Sequence, residues 1–184
     1  MRLLFVVVLF IGFSLTAQNH PLGIKIGGNL SNLLGEGTDN LSNNFNFHAG
    51  FFTEIELTEQ FKIQPELMFS VYGFELDSNE NATVRLNYVI LPVILKYFVS
   101  ETLSLDAGPQ VGLLVTAKNG TGSMADVKSD FFDRDFGFNL GLSLVISDKV
   151  SGSLRYYFGL TDVTSVETKN QNRALQFSLQ FKIN

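Results

Sequence analysis

The 184-residue chain has no cysteine and no tryptophan, and it carries two histidines and four prolines. Without cysteine there is no disulfide framework, cysteine-ligated zinc, iron–sulfur cluster, thiol nucleophile or cysteine-linked lipid anchor. Basic residues are also scarce, 13 against 18 acidic, for a formal net charge of -5. That balance argues against a phosphate-tracking surface, so nucleic acid is not an expected partner. No glycine-rich phosphate loop and no two-histidine metal motif occurs, and no cofactor is expected. Phenylalanine and glycine are abundant, with 18 and 16 copies. The length fits one domain with a sizeable core or one small membrane barrel.

The amino terminus reads as a secretory signal peptide: Arg2, an apolar run over residues 3–13, then Ser14, Leu15, Thr16 and Ala17. The expected division is a signal peptide at 1–17, cleaved before Gln18, and an outer-membrane β-barrel domain at 18–184. The apolar stretch falls short of the roughly 20 residues that a spanning helix needs.

Beyond it, no long apolar stripe at helical spacing appears, and alternation dominates. Leu175, Phe177, Leu179, Phe181 and Ile183 alternate with Gln176, Ser178, Gln180 and Lys182, giving one apolar face and one polar face. The same parity separates Phe136, Phe138, Leu140, Leu142, Leu144 and Ile146 from Gly137, Asn139, Gly141 and Ser143. It also separates Leu154, Tyr156, Phe158 and Leu160 from Ser151, Ser153, Arg155 and Tyr157. Phe61, Ile63, Pro65, Leu67, Phe69 and Val71 oppose Lys62, Gln64, Glu66, Ser70 and Tyr72. Phe47, Phe51, Ile55 and Leu57 oppose His48, Glu54 and Glu56. Three further segments, 22–32, 84–99 and 103–118, bring the count to eight, the middle one being almost wholly apolar and ambiguous in its facing. These strands are long enough for the ~9–11 residues of a tilted membrane strand.

The connections alternate. Short ones lie at 58–60, 100–102 and 147–149, and long ones, rich in Gly, Asn, Ser and Asp, at about 33–44, 75–83, 119–133 and 161–172. In an up-and-down meander this gathers all long loops at one rim and all tight turns at the other, as in outer-membrane barrels. The loops and bordering strand ends hold eleven acidic residues (Glu36, Asp39, Glu75, Asp77, Glu80, Asp126, Asp130, Asp133, Asp135, Asp162, Glu167) against five basic ones (Lys118, Lys128, Arg134, Lys169, Arg173). The rest of the mature chain is balanced, and most of that remainder falls on polar strand faces. Lys25, Glu54, Glu56, Lys62, Glu66, Lys96, Asp106, Arg155 and Lys182 are therefore expected to form a charge-paired lumen network. An eight-stranded barrel is just wide enough inside for side chains, so such a network is expected to act as a plug.

Catalytic signals are weak. His20 follows the expected cleavage site and His48, which could stand near Ser31 or Glu54, lacks a spacing motif. Asp130, Asp133 and Asp135 supply oxygen donors without an EF-hand pattern. Pro65, Pro92 and Pro109 fall inside strands and remove ladder donors, so at least one bulge is expected near them, with Gly73, Gly108 and Gly112 permitting a bend.

Several stretches resemble the PorT-like family of outer-membrane β-barrel proteins, loosely grouped with porin-family proteins. They are Gly23-Ile24-Lys25-Ile26-Gly27-Gly28-Asn29-Leu30-Ser31, Leu91-Pro92-Val93-Ile94-Leu95-Lys96-Tyr97, Ala107-Gly108-Pro109-Gln110-Val111-Gly112, Asp135-Phe136-Gly137, and Arg155-Tyr156-Tyr157-Phe158-Gly159-Leu160-Thr161-Asp162. The resemblance spans the mature chain and implies an outer-membrane barrel. Some members are linked to protein secretion or gliding machinery, and the resemblance supplies no catalytic residues. The chain departs from such barrels at its end, where Ile183 and Asn184 stand in place of a terminal aromatic and Phe181 is the nearest substitute.

The expected fold is thus all-β, an eight-stranded antiparallel up-and-down transmembrane β-barrel in the outer membrane of a Gram-negative envelope. The expected role is non-enzymatic: structural, adhesive or partner-binding, with outer-membrane lipid around it and envelope or secretion proteins met through the loops. Two alternatives follow from the same residues. One is a soluble periplasmic lipocalin-like barrel with the apolar rows turned inward around a hydrophobic ligand; the other is a narrow pore or secretion accessory.

Overall fold

The computed structural model describes residues 21–38, 40–76, 83–120, 125–164 and 169–183, leaving aside the side chains of Leu76 and Ala125. The signal peptide, its cleavage site, His20, Asp39, Asp77, Glu80 and Glu167 lie outside the described residues. Eight long strands run in chain order: β1 (Leu22–Gly35), β2 (Leu41–Thr53), β3 (Phe61–Leu76), β4 (Thr83–Phe98), β5 (Leu103–Asn119), β6 (Arg134–Ser147), β7 (Val150–Gly159) and β8 (Asn170–Lys182). Each pairs antiparallel with its sequence neighbours, and β1 also pairs with β8, from Gly23 opposite Lys182 to Gly35 opposite Asn170. The sheet closes into an eight-stranded up-and-down barrel with no free edge, which satisfies the backbone groups that lipid could not.

The period-2 pattern sets the facing. Ile24, Ile26 and Leu30 of β1, Phe136 to Ile146 at alternate positions of β6, and Phe177, Leu179 and Phe181 of β8 are exposed on the outer wall. Lys25, Asn29 and Ser31, then Asn139 and Ser143, then Gln176, Ser178 and Gln180 are buried inside. This arrangement overturns the lipocalin-like alternative, which needs the apolar rows inward. Aromatic rings mark both ends of the wall. Phe61 and Tyr97 stack at 5.0 Å near the tight turns, and Tyr156 and Phe158 lie 4.6 Å apart nearer the long loops. Such girdles suit membrane interfaces.

Strands reach further than their patterns suggested. The first long connection shrinks from 33–44 to residues 36–40, because the β1–β8 ladder continues to Gly35 and the β2–β3 ladder starts at Leu41. The long connection between β5 and β6 adds a two-residue strand, Ala125–Asp126, on β5 and a 3₁₀ turn, Lys128–Asp130. Phe131 bridges to Thr164, tying this connection to the one after β7.

The prolines behave differently from expectation. The β3–β4 and β4–β5 ladders skip pairs beside Pro65, Pro92 and Pro109 yet keep their register across the gaps. A barrel wall absorbs a missing donor by leaving out one bond, without inserting a residue. Register shifts occur instead in β2 between Asn43 and His48, where β5 meets Asn87 and Tyr88, and at Val145 to Ser147.

Candidate functional site in the barrel interior

The turn-side half of the interior is a connected set of charges. Glu66 of β3 lies between two cations, its Oε2 2.8 Å from Lys25 Nζ and its Oε1 2.6 Å from Arg155 Nη1. Arg155 continues to Asp106, with Nη2 at 2.9 Å and Nε at 3.0 Å from Oδ2. Ser143 and Ser104 donate to the two Asp106 oxygens at 2.7 and 2.9 Å. Gln64 donates to Glu66 at 2.7 Å and accepts from Lys96 at 3.1 Å, and Lys96 meets Glu54 at 3.2 Å. The second Glu54 oxygen takes Lys182 at 2.7 Å. Seven charges, six from six different strands and Glu54 from just past the end of β2, thus form one chain, with the Lys25, Glu66, Asp106 and Arg155 side chains no more than 3 % exposed. Buried charge is tolerated only when neutralised and hydrogen-bonded in this way.

Local sequence makes room for it. Gly141 stands opposite Arg155, and a Cβ there would lie 2.7 Å from the Arg155 Cα and Cγ, so glycine lets the guanidinium stem lie flat against β6. Tyr157 likewise covers Gly137, where a Cβ would meet its ring at 2.5 Å.

The structure divides the nine expected residues. Lys25, Glu54, Glu66, Lys96, Asp106 and Arg155 are buried, and Lys182 reaches in from the turn-side mouth with its side chain 29 % exposed. Glu56 and Lys62 pair with each other at 3.2 Å, with the Glu56 side chain 63 % exposed. They belong to the mouth, because Glu56 lies past the end of β2 in a two-residue strand, Ile55–Glu56, opposite Lys62 at the start of β3 and next to the tight turn. The Phe98 ring lies between Lys62 and Lys96, 5.3 and 5.9 Å from their ammonium nitrogens.

The loop-side half is a different material. Leu33, Tyr72, Phe74, Val84, Leu86, Tyr88, Leu114, Ala117, Tyr157, Val163 and Ala174 form a buried apolar cluster. Tyr72 and Tyr157 stack at 5.8 Å with 9° between ring planes, and the Tyr72 hydroxyl accepts from Gln110 at 3.0 Å. Sequence reasoning missed this layer. Its signal is the almost unbroken apolar run of β4, whose inward members Val84, Leu86, Tyr88, Ile90 and Ile94 are all buried.

His48 is buried between the two zones. Its Nδ1 meets Asn29 Oδ1 and its Nε2 meets Ser178 Oγ, both at 2.8 Å, so neither Ser31 nor Glu54 is its partner. Asp130 and Asp133 are exposed at the rim, and Asp133 pairs with Lys128 at 3.4 Å. Asp135 is buried and accepts from Asn172 at 2.8 Å. Among the described residues, no three metal-ligating side chains converge.

The sequence matches the family model of the outer membrane protein beta-barrel domain over residues 16–165. Neisserial surface protein A (NspA) has a similar structure, with a TM-score of 0.60 and 10% identity, covering 88% of this chain and 97% of that one. Ail, the attachment invasion locus protein of Yersinia pestis, gives 0.53 and 16%, covering 88% and 99%. Identities this low show the fold alone. No curated protein matches the sequence.

Proposed function

The chain belongs to the outer membrane protein beta-barrel domain family, and from that premise we propose that it is a non-enzymatic outer-membrane protein with a closed lumen, working through the four connections at its loop-side rim. The family suggests the outer membrane as its location. The observation that carries the reading is the filled interior, ion-paired on the turn side and apolar on the loop side. That filling, read among the described residues, supports a closed lumen, and it leaves the loop rim as the surface to meet a partner.

A structural, adhesive or partner-binding role follows. Ail is named for attachment and invasion and has been crystallised with a heparin analogue, sucrose octasulfate. In this chain the loops and strand ends carry the acidic excess, so the partner we propose is an envelope, secretion or surface protein with a cationic face, not a polyanion. The PorT-like resemblance, with the secretion or gliding link of some members, is the finer family reading, and export through a cleaved signal peptide accompanies it. Planar-bilayer recording tests the closed lumen. We expect no steady conductance from the folded protein, and a stable open level would replace this reading with the narrow-pore alternative.

A further inference from the structure

One stretch of the outer wall breaks the apolar rule. Near the loop-side ends of β4 and β5, Arg85 and Lys118 are direct cross-strand partners, both exposed on the outward face. Like charges opposite one another in a ladder repel. Among the described residues neither forms an ion pair: Asp126, which stands across from Lys118 on the short strand paired to β5, accepts from the Lys128 amide at 2.9 Å, and Glu75 accepts from Asn44 at 2.7 Å.

Below the two cations, towards mid-membrane, come Asn87 and Thr116, hydrogen-bonded at 2.7 Å, and then Val89 and Leu113. Phe45, Phe47, Phe69 and Val71 line the adjoining wall, with Phe47 and Phe69 6.1 Å apart, and the whole forms a groove of about 560 Å³. The order is two cations, then an amide and a hydroxyl, then aromatic and aliphatic surface. It matches, level for level, the phosphate, the polar linkage region and the acyl chains of an anionic lipid. A protein partner has no need of that vertical gradient.

We propose that this groove is a binding site for a phosphate-bearing lipid of net negative charge in the surrounding leaflet. Arg85 and Lys118 clamp its phosphate, Asn87 and Thr116 face its linkage region, and Phe45, Phe47 and Phe69 hold an acyl chain. The assignment rests on the reading of the barrel as membrane-embedded. No covalent step is involved.

Native mass spectrometry of the delipidated, detergent-held barrel tests it, with monophosphoryl lipid A, phosphatidylcholine and inorganic phosphate as probes. The expected result is a one-to-one adduct with monophosphoryl lipid A, the probe of net negative charge, weakened about fivefold for each cation removed, as for charges at an anionic membrane surface. R85Q/K118Q is therefore expected to lose about 25-fold, with R85K/K118R retaining binding and F47A weakening it. Equal binding of phosphatidylcholine, or an unchanged adduct in R85Q/K118Q, overturns the proposal. Full competition by equimolar inorganic phosphate overturns the lipid in favour of a free-anion site. A heat-dependent electrophoretic shift shows that each variant is folded, and if the double variant is not, K118Q alone gives the fivefold reading. Absence of that shift in the unaltered protein strikes at the membrane-barrel reading itself, not at the groove.

Discussion

The two halves of the interior solve one problem in opposite ways. On the turn side, Lys25, Glu66, Arg155 and Asp106 fill the barrel with charges that are neutralised in pairs. On the loop side, Leu86, Tyr88, Tyr157 and their neighbours fill it with rings and aliphatic chains. A charged filling is specific in its partners and fails badly when one is lost, because the survivor is left buried and uncompensated. An apolar filling is tolerant in its partners and fails by the volume of the cavity created. One barrel thus carries a brittle filling and a compliant one in series.

Breaking the charged half has the largest expected effect. Glu66→Ala strands Lys25 and leaves Arg155 with Asp106 alone, and a loss of about 3–5 kcal/mol is expected in urea unfolding from phospholipid vesicles. A loss below about 1 kcal/mol would mean that water already solvates these charges. In the apolar half, Leu86→Ala is expected to cost about 2–5 kcal/mol by the same measurement, without conductance, since an apolar cavity stays dry. If Leu86→Ala conducts in planar bilayers and Glu66→Ala does not, the roles of the two halves are reversed.

The wall offers a control outside both halves. Leu142 is 42 % exposed on the outer face, next to Ser143, which binds Asp106 within. Leu142→Arg is expected to cost about 2–4 kcal/mol if that face meets lipid. Folding that is as stable in lipid vesicles as the unaltered protein would argue that it does not. The smallest effect is expected at the mouth. Glu56→Gln removes the solvent-facing pair with Lys62 and is expected to shift stability by less than about 1 kcal/mol. A change as large as that of Glu66→Ala would place Glu56 in the buried network after all.

Much of this was legible along the chain. Gln176, Ser178, Gln180 and Lys182 alternate with apolar neighbours, and parity alone assigns them to one face. The same parity put Arg155, Glu66 and Asp106 among the polar residues. Glu56 and Lys62 were grouped with them because parity carries no information about depth: a residue on the inner face is enclosed only if the wall extends past it on all sides. The apolar half was hidden because β4 has apolar residues on both faces, so its alternation is silent. His48 found Asn29 and Ser178, 19 and 130 residues away, and no local pattern encodes such a meeting. The bulges escaped for a related reason: an extra residue in one strand is defined only against its partner.

What the sequence by itself determined is the count of the long strands and the facing of those that alternate, because side-chain direction repeats every two residues as a property of the extended chain. What only the tertiary structure decided is which cation meets which carboxylate, at what depth, and where Arg85 comes to stand beside Lys118. Those depend on the register at which each strand pairs with the next, and closure of the barrel fixes that register over all eight strands at once.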